Sequence, residues 1–315
     1  MKSLKVLITG ATGFLGKHLV KKLEQMGCEI HISNRTTASL SDYNNLHCYD
    51  GIKFDYIFHL AVVTKGGDYC MTNQATQWIE NQTLNTNMLR YWVEQQPQAK
   101  MVCMGTSCSY SPDIYMTEDN YLIGIPESTL YAYAMTKRML LNGLQAIQQQ
   151  HGLKWVYFIP STLYGSGFEL DDNHFIFDFI RNCYNAKNNG EKFVVWGDGE
   201  QRRELIYVHD AIDAMLNLLP YDNQVFNLGS GEDNSINEFA KIVSDCYGYD
   251  YNLIEHDMTK YIGVRQKKID TDKVLKHLNG EPYIKTNLAT GIQECVDDFI
   301  YRNERIFDYE NQQSS

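Results

Sequence analysis

The chain has 315 residues, enough to bury a large core, a formal net charge of -11 and eight scattered cysteines. Its length fits one large α/β unit or a nucleotide-binding domain with a smaller substrate lobe. The acidic balance argues against holding nucleic acid through a broad cationic face, so any phosphate site must be local.

The chain opens with Lys5–Thr9, a short run of branched apolar residues, then a glycine-rich turn and an amphipathic helix over residues 14–26. The apolar run 6–8 is too short for a signal-peptide core, and no later stretch is long enough to span a membrane. Strands are predicted again at Glu29–Ser33, 56–60, Lys100–Met104 and 154–159, with helix-length segments between the later ones. Apolar strands alternating with helices predict a Rossmann-type doubly wound parallel sheet covered on both faces. After Pro160 a loop is expected over 161–173, then a helix over 175–187 and a strand over 193–196. A helix over 210–219 and a strand at Gln224–Leu228 return to the sheet, and 311–315 reads as a polar tail. The expected division is a dinucleotide-binding domain over 1–163 with the returning segment 204–228, and a smaller lobe over 164–203 and 229–315. The cysteines show no CxxC pair and no zinc-like spacing, so no metal is expected, and reduced thiols suit a cytoplasmic protein.

Gly10-Ala-Thr12-Gly13-Phe14-Leu15-Gly16 lies between the first strand and the first helix, where a pyrophosphate would meet backbone N–H groups and the positive end of a helix. The GxxGxxG spacing resembles the short-chain dehydrogenase/reductase superfamily, and Gly13-Phe14-Leu15-Gly16 its extended branch. That resemblance implies a nicotinamide dinucleotide bound by these residues. Which one it is depends on the end of the second strand, where an acid would bond the ribose of NAD. The run Ile32-Ser33-Asn34-Arg35-Thr36 has no acid, and Arg35 could meet a 2′-phosphate, so the reading is NADP or NAD with NADP favoured. His59-Leu60-Ala61 resembles the family segment lining the cofactor ribose; a core histidine with satisfied hydrogen bonds is the alternative for His59.

Tyr133 and Lys137 stand four apart on a predicted helix and share a face. A nearby cation favours phenolate, so the tyrosine is expected to have a lowered pKa and to move a hydroxyl proton while hydride moves on the nicotinamide. Thr106, four before Tyr110 at the end of a strand, resembles the hydroxyl residue that completes the catalytic group of the extended enzymes.

Three further segments resemble the GDP-fucose synthases, which epimerise and reduce a GDP-linked 4-keto sugar. Lys65-Gly66-Gly67 follows the His59 strand, Cys108 falls two after Thr106, and His174 precedes an apolar run. The resemblance implies that Cys108 and His174 act as base and acid beside a ketone; a buried small thiol and a helix-entry residue are the alternatives. The sequence departs from that pattern in Thr162, where those enzymes usually carry asparagine, and in a segment before His174 one residue shorter than expected. The run from Trp196 through Arg203 to Asp210 resembles the family's nucleotide-diphosphate clamp. There Trp196 offers a flat face, Arg203 a fork for phosphate and Lys267 another phosphate contact, the alternative being a packed tryptophan and an Arg203–Glu204 ion pair.

The resemblance implies hydride transfer at C4 of a nucleotide-activated sugar, a GDP-linked hexose or heptose, with epimerisation at C3 and C5 in question. The competing readings are an epimerase holding NAD without net redox and a non-catalytic NAD(P) or nucleotide-sugar sensor. A homodimer through the helices of 73–95 and 130–150 is also implied.

Overall fold

The structure is a computed structural model that describes residues 3–64, 69–170, 172–260 and 262–313, with side chains through residue 305. The first strand, Lys5–Thr9 (β1), leads through the glycine turn into Phe14–Gln25 (α1), which buries Gly16, Leu19 and Leu23 along one face. Then come Glu29–Ser33 (β2), Tyr56–His59 (β3), the short Tyr69–Thr72 (α2), the long Gln74–Gln95 (α3), Lys100–Met104 (β4), Tyr131–His151 (α4) and Trp155–Pro160 (β5). The chain continues through Thr162–Tyr164 (β6), Phe175–Asn189 (α5), Val194–Trp196 (β7), Arg202–Arg203 (β8), Leu205–Tyr207 (β9), Val208–Leu218 (α6) and Gln224–Leu228 (β10). It ends with Asn234–Ser235 (β11), Ile236–Tyr247 (α7), Glu255–Asp257 (β12), Gln266–Lys267 (β13), Asp272–His277 (α8) and Leu288–Gln313 (α9).

Among the described residues six strands form one parallel sheet in the order β10-β5-β4-β3-β1-β2. Every residue of β4 and β5 is buried, which is why both read as continuous apolar runs instead of alternating ones. Alternate side chains serve opposite faces. Leu7, Ile57, Met101 and Tyr157 pack against Trp92 of α3 and Leu141 of α4. On the other face, Ile8, Phe58, Val102 and Phe158 meet Leu19 of α1 and Met215 of α6. A third apolar cluster lies between α5, α7 and α9, around Phe177, Phe239 and Val296.

Two expectations are corrected. The predicted loop of 161–173 contains β6, which pairs in parallel with β9 and is too short to show a period in sequence. Asn311 to Gln313 continue α9 instead of forming a tail, since asparagine and glutamine at a helix end cost little. Strand order reverses between β1 and β3, and the loops that leave these two strands open a crevice at that switch point.

Candidate active site

Gly10 has φ +72°, and a Cβ there would lie 2.7 Å from the Ala61 amide nitrogen; one on Gly16 would lie 2.1 Å from the Gly10 carbonyl oxygen. Both positions exclude a larger residue, because the turn packs against the end of β3 and the first turn of α1. Gly13 differs: its φ of -76° suits any residue, and an added Cβ would come no closer than 3.4 Å to Gly10. What its missing side chain leaves open is the outer surface of the turn, where Thr12 and Gly13 are exposed. Gly13 begins α1 without a side-chain cap, and the first turn carries no acid. Uncapped N–H groups at the switch point fit a pyrophosphate. Leu15 packs into the core beneath. Phe14 instead meets Phe177 of α5 edge on, with ring centroids 6.0 Å apart.

At the end of β2, Asn34 Oδ1 accepts the N–H groups of Thr36 and Thr37 at 2.9 and 2.7 Å, and Arg35 is exposed on this turn. Leu60 is buried behind the glycine turn, while the Ala61 N–H donates to Thr9 Oγ1 at 3.1 Å. His59 is buried, with Nε2 donating to Asn85 Oδ1 at 3.0 Å and Nδ1 meeting the Thr9 hydroxyl at 2.9 Å. Burial pushes the ring down to about 4, so it is neutral at ordinary pH. A carbonyl oxygen can only accept, so Nε2 carries the hydrogen and Thr9 donates to Nδ1. His59 is the satisfied core histidine.

Thr106 sits at the open end of β4, where its Oγ1 accepts the Cys108 N–H at 3.2 Å and begins a tight turn over Ser107–Ser109. Tyr133 and Lys137 lie one turn apart on α4; Tyr133 is partly exposed and Lys137 is buried. Removal from water pushes the Lys137 ammonium down to about 8. The same cause, aided by Cys108 and Tyr121, raises the Tyr133 phenol, with the Thr106 hydroxyl acting the other way. The expected lowering of the tyrosine by Lys137 is therefore not found: desolvation of the phenolate is the largest cause, and Lys137 is not among the groups that shift it. Arg138 fixes this turn to α4. Its guanidinium is buried and donates to the carbonyls of Ser109 at 2.8 Å, Gly124 at 2.7 Å and Ile123 at 3.0 Å.

Beyond Thr106, Lys267 Nζ lies 3.9 Å from Cys108 Sγ and 3.1 Å from Glu127 Oε2. Lys267 thus stands against the thiol, paired with a carboxylate, where a phosphate contact was expected. Parallel pairing of β13 with β8 sets Lys267 opposite Arg203. Arg203 donates to the carbonyls of Arg202 at 2.8 Å, Val264 at 2.9 Å and Ile262 at 3.1 Å, so its fork is turned onto backbone. Glu204 is engaged elsewhere. Its carboxyl is buried, accepts the Gly231 N–H at 2.8 Å and the Ile269 N–H at 3.0 Å, and is pushed up to about 7 by burial. Trp196 is half exposed, with Lys260 Nζ 5.4 Å from its ring centre.

His174 begins α5, and its half-exposed ring holds Asp172 Oδ1 through Nδ1 at 2.6 Å. Desolvation opposes protonation of this ring, but Asp172 and Asp178 outweigh it and raise the pKa. Among the described residues no hydrogen bond or ion pair joins His174 to Cys108 or Tyr133. Lys65 lies outside the described residues. Glu127, Asn85 and Arg138 were not singled out from sequence. Glu127 sits in an aperiodic loop, whereas the buried amides Gln77, Asn81 and Asn85 of α3, four apart, were a visible signal that polar character alone disguises as a solvated face.

A glycine turn fit for a pyrophosphate, with Thr106 at the end of β4 beside Tyr133 of α4, is joined by a family match: residues 6–229 fit the model described as the NAD dependent epimerase/dehydratase family. The chain belongs to this family. Two similar family relatives are a GDP-L-colitose synthase of Yersinia pseudotuberculosis, 29% identical over 94% of this chain and 98% of that one, and GDP-L-fucose synthase 1 of Arabidopsis thaliana, 28% identical over 95% and 94%. Among solved structures, a GDP-L-fucose synthetase from Naegleria fowleri bound to NADP superposes with a TM-score of 0.85, at 24% identity over 96% of this chain and 95% of that one.

Proposed function

We propose that this family member is an NADP-preferring oxidoreductase that works at C4 of a GDP-linked 4-keto hexose or heptose and exchanges protons at the carbons flanking the ketone. The observation that carries the reading is the convergence of Thr106, Cys108 and Tyr133 at the open end of β4, with Lys137 buried one turn along α4 from Tyr133. The names of the relatives, GDP-L-colitose synthase and GDP-L-fucose synthase, and NADP in the Naegleria protein support the substrate class and cofactor. Gly10, Thr12, Gly13 and the start of α1 would hold NADPH, with Arg35 at its 2′-phosphate, and the bound cofactor would supply the hydride. Thr106 hydrogen-bonds the reacting oxygen and Tyr133 delivers its proton, with Lys137 one turn along α4 from it. Cys108 and His174 serve as base and acid at carbons whose hydrogens the ketone acidifies. Trp196 and Arg203 border the nucleotide.

The site is proposed to work in a homodimer, since Trp78 and Ile79 of α3 and Tyr131 of α4 make an exposed apolar patch that a second copy would cover. The proposed division is a nucleotide domain over 1–163 and 204–228 and a sugar lobe over 164–203 and 229–315; the third apolar cluster around Phe177, Phe239 and Val296 supports it, with Leu205 and Tyr207 crossing into that cluster and Val274 and Tyr283 packing with the sheet. The cysteines are free thiols, buried or not, which suits a reducing cytoplasm. No described helix is long and apolar enough to cross a membrane.

The test is NADPH oxidation with a GDP-linked 4-keto sugar. Tyr133→Phe should bind cofactor normally and lose about 100-fold or more in turnover, because only a proton path is removed. Tyr131→Phe, on an exposed ring six residues from Lys137, should turn over normally. Wild-type turnover in Tyr133→Phe would overturn the assignment.

A further inference from the structure

Glu127, Lys267 and Cys108 come from three separate segments, yet their functional atoms meet one after another: carboxylate to ammonium at 3.1 Å and ammonium to sulfur at 3.9 Å. The Glu127 and Lys267 side chains are 12% and 18% exposed, so neither is a solvated surface charge. A lysine that binds a pyrophosphate is poorly served by a carboxylate at its tip, which cancels its charge and repels the ligand. A lysine that must stay protonated in a half-dry site gains from one, because desolvation otherwise strips its proton.

We propose that Lys267 is a positioning residue for Cys108, its ammonium favouring the thiolate that removes a proton from the sugar, and that Glu127 keeps Lys267 charged and aimed. This rests on the reading of Cys108 as the base. In the step served, the sugar C–H bond breaks and the S–H bond forms. The electron pair of the C–H bond becomes the carbon–carbon double bond of an enolate while the carbonyl π pair moves to the ketone oxygen, beside Thr106 and Tyr133, and both shifts reverse when the carbon is reprotonated. No oxidant or reductant is consumed. The Lys267 ammonium behaves accordingly: desolvation lowers its pKa, but Cys108 and Glu127 together raise it above the usual lysine value.

Among the described residues, the charged and titratable groups facing this cluster include Tyr133 from α4, which Cys108 influences, Lys267 from β13, Glu127 from the loop before α4, and Arg203 from β8, which opposes the Lys267 charge. The two variants therefore carry opposite signs. Lys267→Met removes the ammonium 3.9 Å from the sulfur and disfavours thiolate, whereas Glu127→Gln keeps the shape and an acceptor oxygen but removes the negative charge and favours it.

The readout is the pH dependence of Cys108 alkylation by iodoacetamide in the full chain, followed on the Cys108 peptide by mass spectrometry. It needs no substrate, so it separates failure of this proposal from failure of the sugar chemistry. Lys267→Met should move the midpoint up by about one pH unit and Glu127→Gln should move it down, with Lys267→Arg close to wild type. Midpoints unmoved in both variants, or moved in the same direction, would overturn the proposal even if turnover is intact. An unmoved midpoint in Lys267→Met together with a several-fold weaker affinity for GDP alone would return Lys267 to phosphate binding. If the midpoints move as stated but no deuterium from heavy water enters a 4-keto sugar that is being reduced, the electrostatic cluster stands and the role of Cys108 as base fails.

Discussion

The Asn85 carboxamide joins His59 to the helix that carries Tyr133: its oxygen accepts from His59 Nε2 at 3.0 Å, and its nitrogen donates to the Thr136 carbonyl at 3.4 Å. Through Thr9 and Ala61 the same chain reaches the turn against which Gly10 packs. The end of β3 and α4 are thus linked through one buried amide. Asn85→Leu should leave the buried His59 N–H without a partner, at a cost of about 1–3 kcal/mol, while the Thr136 carbonyl keeps its bond within α4. Urea unfolding checks this; a midpoint equal to wild type would show that water or a shifted side chain replaces the bonds.

Arg35 sits on a turn fixed by Asn34, and no ion pair holds its guanidinium among the described residues. If it meets the 2′-phosphate, Arg35→Ala should weaken NADPH binding about 10-fold or more while leaving NADH nearly unchanged, since a charged hydrogen bond is lost only with the former. Fluorescence titration of the two cofactors gives the ratio. Equal loss for both would place Arg35 outside the site.

Glu204 sets a stability slope. Its carboxyl is raised by burial from 4.5 to about 7, so the folded state keeps a proton that the unfolded state has released. The contribution is full below pH 4.5 and is lost as pH rises through 7, at about 1.4 kcal/mol for each pH unit between those two values. Glu204→Gln should therefore flatten the decline in unfolding free energy between pH 5 and 7.5, relative to wild type. An unchanged slope would mean that the ionised carboxylate is adequately held by the Gly231 and Ile269 N–H groups.

The sheet was legible because β1, β4 and β5 are apolar on both faces and alternate with helices, a pattern that only a covered parallel sheet produces. The glycine turn and the Thr106, Tyr133 and Lys137 spacing were legible because each is local: a strand end, a turn, one face of a helix. The electrostatics were not. Whether Lys137 lowers the Tyr133 pKa depends on how dry both groups are, and burial is a property of the packed whole. Lys267 and Glu127 were equally out of reach, since 140 residues separate the partners of that ion pair. Arg203 shows the same limit: the motif supplies a fork, but the carbonyls it grips come from a segment some sixty positions later.

Arg138 divides the labour of the site. With its three carbonyl partners it clamps the Thr106 and Cys108 turn, the loop at Ile123 and Gly124, and the start of the Tyr133 helix into a single rigid block. Thr162 and His174 have no share in that clamp. Under the proposed function, variation around them would redraw the sugar pocket, altering which hexose is accepted and which face is protonated, while the clamped turn that carries Thr106 and Cys108 stays in place. For an enzyme designer, the substrate wall is open to diversification and the clamp is the part to leave alone.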